Sequence, residues 1–221
     1  MKETKTQRLM RNSESHEAGF SLIELMIAMT ITLVIMVAAS TLLSKSLGTR
    51  SRENRKSDSL ADVQRALNIM SREIANSGFG LMNGSATDNG IVLANSNSTQ
   101  IRFRANIINS SSNNTISNPG EDVTYYLDNF RLARYDLYAP AGSQTTALLA
   151  NRIDTLTIGY YDVDGAGNVS AVAAAAPTAN TVRVKITASV TLPVMSGEPG
   201  STEQLTSEVS LRNAPTVVGS Y

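Results

Sequence analysis

Residues 20–43 are the strongest constraint in this chain. Twenty-four residues from Phe20 to Leu43 are almost uninterrupted apolar sequence with one formal charge, Glu24. At about 1.5 Å per residue, a helix of that length spans a ~30 Å hydrocarbon layer. Lipid offers no partner for backbone polar groups, so a lone segment there must satisfy its own N–H and C=O groups as a helix. A carboxylate costs roughly 2.5–3.5 kcal/mol at the centre of such a helix and less near its end. Glu24, near the start, therefore needs a cation or a proton and marks a functional position.

The nineteen residues before the run are polar and end in Gly19. A secretory signal has a 7–15-residue apolar core with its small-residue cleavage site after the core. Here the small residue comes first and the core is too long, so cutting after Gly19 leaves the membrane segment on the mature protein. Charge bias does not orient the helix. The leader carries Lys2, Lys5, Arg8 and Arg11 with Glu3, Glu14 and Glu17; beyond the run stand Lys45, Arg50, Arg52, Arg55 and Lys56 with Glu53. The plain alternative is a single-pass anchor with a stray Glu.

The run Gly19-Phe20-Ser21-Leu22-Ile23-Glu24-Leu25, continued by MIAMTITLVIMVAAS, resembles the class III signal of type IV prepilins and pseudopilins. The resemblance implies that an inner-membrane prepilin peptidase cuts between Gly19 and Phe20 and methylates the Phe20 amine. It also implies that Glu24 neutralises the Phe20 ammonium of a neighbouring subunit. The domain reading is then a leader at 1–19, a transmembrane or filament-core helix at 20–43, an amphipathic continuation at 44–77 and a β-rich head at 78–221.

Composition limits the chemistry. The chain has no cysteine, which excludes disulfides and thiolate sites, and its one histidine, His16, lies in the leader. Nucleophile–histidine catalysis is unavailable to the mature chain, so a non-enzyme is expected, without a cofactor. With four basic and three acidic residues in the leader, fifteen basic and sixteen acidic residues remain. That balance gives no general electrostatic case for nucleic-acid binding.

Leu60, Val63, Leu67, Met70 and Ile74 step by three and four, one apolar stripe on a helix. Asp62, Gln64, Arg65, Asn68, Arg72 and Glu73 fall between them. Lys45–Ser59 is strongly polar and expected to be exposed or locally melted. The helix is expected to end at Asn76-Ser77-Gly78, with Gly78 as a left-handed cap and Phe79 supplying the accompanying apolar contact. Residues 72–80, ArgGluIleAlaAsnSerGlyPheGly, resemble the helix end of the PilW family of minor pilins.

Strands are expected at Ile91–Leu93, Ile101–Arg104, Val123–Leu127, Phe130–Tyr138, within Leu148–Asp162, at Thr181–Leu192 and at Leu205–Leu211. Asp128-Asn129 is the hairpin turn candidate. Asn109–Gly120 reads as an exposed loop, and Ala173–Ala176 before Pro177 as a connector. The fold class is α+β: a long N-terminal helix packed on an antiparallel β-sheet head, as the pilin resemblance also implies.

Asp162, Asp164 and Asn168 offer oxygens around glycine-rich turns, a candidate calcium site. An EF-hand loop fails, because Ala166 and Ala173 stand at ligand positions; a hairpin turn is the simpler account. Arg50, Arg52, Arg55 and Lys56 suit anionic headgroups or a solvated helix face. Arg102, Arg104, Arg131 and Arg134 are spread over strands. Asn97-Ser98-Thr99 and Asn113-Asn114-Thr115 fit the glycosylation pattern by composition alone.

The resemblance implies a structural minor pilin of a type IV pilus that primes or caps assembly, and so serves adhesion, twitching motility or DNA uptake. Its expected partners are other minor pilins, the major pilin, the assembly platform and the prepilin peptidase. It is expected in the bacterial inner membrane, single-pass with a periplasmic head, and later in the pilus at the cell surface. The rivals are a type II secretion pseudopilin of the J-like tip kind and a membrane-tethered adhesin or other ligand-binding module. A membrane-anchored hydrolase lacks a catalytic constellation.

Overall fold

The computed structural model describes residues 19–83, 86–108, 115–147, 153–192 and 200–214. The leader before Gly19, residues 109–114 with Asn113, and the tail from Pro215 lie outside the described residues. One helix, α1, runs Leu22–Ala75. Among the described residues nine strands follow: β1 Met82–Asn83, β2 Ala86–Thr87, β3 Gln100–Arg104, β4 Asp122–Asp128, β5 Arg131–Asp136, β6 Thr145–Ala147, β7 Thr155–Asp162, β8 Thr181–Leu192 and β9 Ser201–Ser210. The fold is α+β with antiparallel sheets.

The chain forms two compact units, residues 1–52 and 53–221. In the first, α1 is the only described element, and its apolar side chains from Leu22 to Leu47 are exposed. The window of highest hydropathy averages 2.4 with none of it buried, so by length and composition the helix can cross a membrane. Thr30, Thr32 and Thr41 donate their hydroxyls to the carbonyls of Ile27, Ala28 and Ala38 at 2.7–2.8 Å. Those hydroxyls need no partner in lipid.

α1 is continuous through Lys45–Ser59, without melting, and in the second unit it buries one stripe. Val63, Leu67, Met70 and Ile74 are each at most 1% exposed, joined by Ala66 and Ala75. The stripe meets two main sheets, not one: a four-stranded sheet in the order β3-β4-β5-β6 and a three-stranded sheet in the order β7-β8-β9. β1 and β2 pair as a separate ribbon. Where β7 approaches the segment before β3, Ser98 accepts one backbone bond from Ile158 N–H (2.8 Å) and Tyr160 OH donates to the carbonyls of Asn97 (2.9 Å) and Gln100 (3.2 Å), but no ladder joins the two main sheets.

β8 forms where a half-buried strand is expected at Thr181–Leu192, and it is the middle strand of its sheet. Val182, Val184, Ile186, Ala188 and Val190 face the core, and β9 pairs with it over ten consecutive positions. Ile91–Leu93 departs from expectation. Only Ile91 makes a bridge, to Phe103, and Leu93–Asn95 turns into a short 3₁₀ helix. Asn89 occupies the Ile91 N–H with its Oδ1 (3.1 Å), while its amide reaches the carbonyls of Thr178, Ala179 and Thr181. The β4–β5 turn is Asn129-Phe130, one residue later than expected, with positive φ at both (46° and 63°). That is the primed turn whose twist suits a two-residue hairpin.

The helix end also differs in detail. Gly78 has φ +78°, but its N–H goes to the Arg104 carbonyl (2.9 Å), not to a helix carbonyl. Phe79 is exposed rather than packed. The left-handed glycine lets the chain leave the helix directly onto β3.

Candidate functional site

The helix N-terminus is built from Gly19 to Leu25. Gly19 and Phe20 precede the helix in irregular chain; nothing stands within 4 Å of where a Gly19 Cβ would be, and Phe20 is 90% exposed. The bond between them lies outside regular structure. Leu22 opens the helix, so Ser21 is the N-cap residue and Glu24 the third helical residue. Glu24 Oε2 accepts the Ser21 backbone N–H at 2.9 Å, and Leu25 N–H donates to the Ser21 carbonyl at 3.1 Å.

This is one half of a capping box. The Ser-x-x-Glu spacing is the sequence signal for it, and it escapes a reading that treats Glu24 only as a buried charge. The cap satisfies one backbone donor and places a carboxylate at the positive end of the helix dipole. It leaves the carboxylate's other oxygen without a partner from its own cap, and Glu24 is exposed. Glu24 is the only charged residue from Phe20 to Ser44. A cation from outside the helix is what would complete it in a low-dielectric setting.

In the head, the 162–168 turn is held by its own bonds. Asp164 Oδ1 accepts N–H bonds from Asn168 (2.8 Å) and Ala166 (2.9 Å), and Oδ2 faces the Asn168 amide (3.3 Å). The Asn168 backbone bond, followed by its side-chain amide, holds the Asp164 carboxyl below the usual carboxylate range. Asp162 faces elsewhere, accepting hydroxyls from Thr178 (2.8 Å) and Thr181 (2.7 Å). The structure thus does not bring the two carboxylates onto a common centre: Asp164 and Asn168 close a turn, and Asp162 ties β7 to the start of β8. Among the described residues, no group of three or more His, Cys, Asp or Glu is gathered.

Of the strand arginines, Arg131 is exposed, whereas Arg102, Arg104 and Arg134 meet carboxylates of the head. Arg102 Nε and Nη2 reach Asp122 at 2.7 and 2.9 Å, and Arg104 Nε reaches the same carboxylate at 2.9 Å. Asp122 is 1% exposed. Arg134 bonds Glu73 of α1 (3.1 Å) and Asp136 (3.2 Å), and Tyr125 OH donates to the same Glu73 oxygen (2.8 Å). Burial, then the Glu73 carboxylate, pushes the Tyr125 phenol up, so it remains a donor. Asn97 Oδ1 accepts the Thr99 and Gln100 N–H groups, a side-chain turn.

Glu121 is a residue that sequence reading did not single out. It is fully buried, and its two oxygens accept N–H bonds from Ile107, Ile108, Ser117 and Asn118 at 2.9–3.1 Å. Burial alone pushes its carboxyl up. The N–H bonds of Ser117, Asn118 and Ile108 outweigh that and hold it below the usual range. One carboxylate therefore fastens both stems that flank residues 109–116.

Residues 15–40 match the family model described as the prokaryotic N-terminal methylation motif. The match covers Gly19, Phe20 and Glu24. No curated protein matches the chain significantly. Among solved structures, a type IV-like pilin from Thermus thermophilus aligns over 71% of this chain and 97% of its own, with 13% identity and a TM-score of 0.41.

Proposed function

We propose that this chain is a minor pilin, a non-enzymatic subunit of a type IV pilus that primes or caps assembly. The observation that carries this reading is the methylation motif at residues 15–40, set on a helix whose apolar residues are exposed from Leu22 to Leu47 and whose later turns bury a stripe in the head. A helix exposed over so long an apolar stretch needs lipid or other helices around it.

On this reading the prepilin peptidase cuts after Gly19 and methylates Phe20. The helix waits in the inner membrane with the head in the periplasm. On assembly, the Phe20 ammonium of a neighbour completes the coordination of Glu24. Partners are other minor pilins, the major pilin and the assembly platform. The PilW-like end at residues 72–80 supports a minor rather than a major subunit.

Cross-linking mass spectrometry on sheared filaments from cells producing the chain tests this. The expected result is a sub-stoichiometric chain cross-linked near its N-terminus to pilins. Cross-links confined to a secretion machine would reassign it as a pseudopilin. Absence from every filament, with a head that binds surface glycans, would favour the tethered adhesin.

A further inference from the structure

Glu24 and Lys45 bracket residues 25–44, twenty residues without a formal charge. At about 1.5 Å per residue they cover ~30 Å, the thickness of the hydrocarbon core. When Glu24 lies at one face of that core, Lys45 lies at the other.

Lys45 opens a wholly basic segment. Lys45, Arg50 and Arg52 follow one another with no Asp or Glu anywhere from Leu25 to Arg52. The helix is continuous through all three. At 3.6 residues per turn, Arg52 returns close to the line of Lys45, while Arg50 falls on the far side. The charges ring the helix instead of marking one face. Lys45 and Arg50 are exposed and Arg52 partly so, and Leu47, between them, is 56% exposed. Apolar and basic residues interleaved at the end of a spanning helix are what a headgroup layer accommodates, with the long stems lying along the lipid and the charges at the interface.

A water-facing helix surface is normally laced with acids three and four residues from its bases. Here the first acid after Glu24 is Glu53, three residues beyond Arg50; farther along, Lys56 pairs with Glu203 of β9 (2.7 Å) and Arg65 lies near Asp62 (3.9 Å).

We propose that Lys45, Arg50 and Arg52 form a collar that binds anionic phospholipid headgroups at the membrane face opposite Glu24 and fixes the depth of the inserted helix. The collar rests on the reading of residues 25–44 as membrane-spanning. Each basic residue near an anionic surface contributes about 1 kcal/mol, which corresponds to about fivefold in lipid preference.

The test is electron spin resonance on the full chain in phosphatidylcholine vesicles carrying trace spin-labelled phosphatidylglycerol or spin-labelled phosphatidylcholine. The chain is expected to associate with phosphatidylglycerol about fivefold or more over phosphatidylcholine at low salt. High salt and the triple variant K45Q/R50Q/R52Q are each expected to bring the ratio near one, while R55Q/K56Q keeps it. A wild-type ratio of one, or a preference that survives the triple variant, overturns the collar. A chain stripped from the vesicles by alkali would refute the spanning helix and the collar with it; an integral chain without lipid preference refutes the collar alone.

Discussion

The backbone N–H of Ser21 donates to Glu24 Oε2 at 2.9 Å. The carboxylate assigned to a neighbour's ammonium therefore already serves its own helix. A cap of this kind is worth ~1 kcal/mol, whereas removing one partner of a desolvated charge pair costs about 2–5 kcal/mol. The two roles separate by substitution. Glu24→Gln keeps an acceptor for Ser21 but not the charge; Glu24→Val loses both. Both variants are expected to be processed normally and to enter filaments more than tenfold less than wild type, tenfold being about 1.4 kcal/mol. Quantitative immunoblotting of sheared filaments checks this; a Gln variant that assembles like wild type would assign Glu24 to the cap alone.

Glu121 should control acid stability. Its folded carboxyl lies below the ordinary range, so its contribution is present above the unfolded value of about 4.3 and is lost as pH falls through the folded value. Glu121→Gln is expected to cost about 1–3 kcal/mol at neutral pH, because one of the two N–H pairs would face an NH2 group that donates and cannot accept. The variant should also lose part of the stability decline below about pH 4.3. Urea titrations of the head at pH 7 and in mild acid measure both.

Gly90 and Gly78 touch. A Cβ on Gly90 would stand 2.1 Å from the Gly78 nitrogen and 2.4 Å from the Arg104 carbonyl oxygen, at a φ of +75°. Gly90→Ala is expected to destabilise the head by more than about 3 kcal/mol, since both strain and overpacking act at once. Gly165→Ala, where nothing lies within 4 Å, should cost under about 1 kcal/mol. Thermal melts of the pair give the comparison.

Tyr125→Phe removes the hydroxyl that meets Glu73 while leaving the ring, which lies 6.1 Å from Phe103. A loss of about 1.5–3 kcal/mol is expected, the range for a hydrogen bond to a charged group. Met70→Ala, at a fully buried stripe position, should cost about 2–5 kcal/mol. Equilibrium unfolding distinguishes these from surface changes, which should stay within about 0.5 kcal/mol.

What could be read from the chain alone follows from how local each signal is. The stripe Leu60–Ile74 and the alternation of β8 are periodic patterns, and both appear where their periods place them. Gly19, Phe20 and Glu24 form a compact run, so the methylation motif was legible from seven residues. Division into two main sheets was not, because it depends on which strands pair, β3 with β4 and β7 with β8, and the partners lie roughly twenty residues or more apart in the chain. The 3₁₀ turn at Leu93–Asn95 was not either: it lies next to Ser96, whose hydroxyl bonds Arg102 of β3 only in the folded chain. Glu121 gave no periodic cue; its role comes from four N–H groups that only the folded chain assembles. The Ser21-x-x-Glu24 box was local and readable, but the buried-charge argument overshadowed it.

Intact-mass and N-terminal peptide mass spectrometry of the chain from its native membrane, beside Gly19→Trp, tests the central claim most directly. The account predicts a wild-type chain beginning at Phe20 with one added methyl group on its amine, and a Gly19→Trp chain that keeps residues 1–19 and stays out of filaments. A wild-type chain that retains its leader, or a Gly19→Trp chain of mature size, would contradict it.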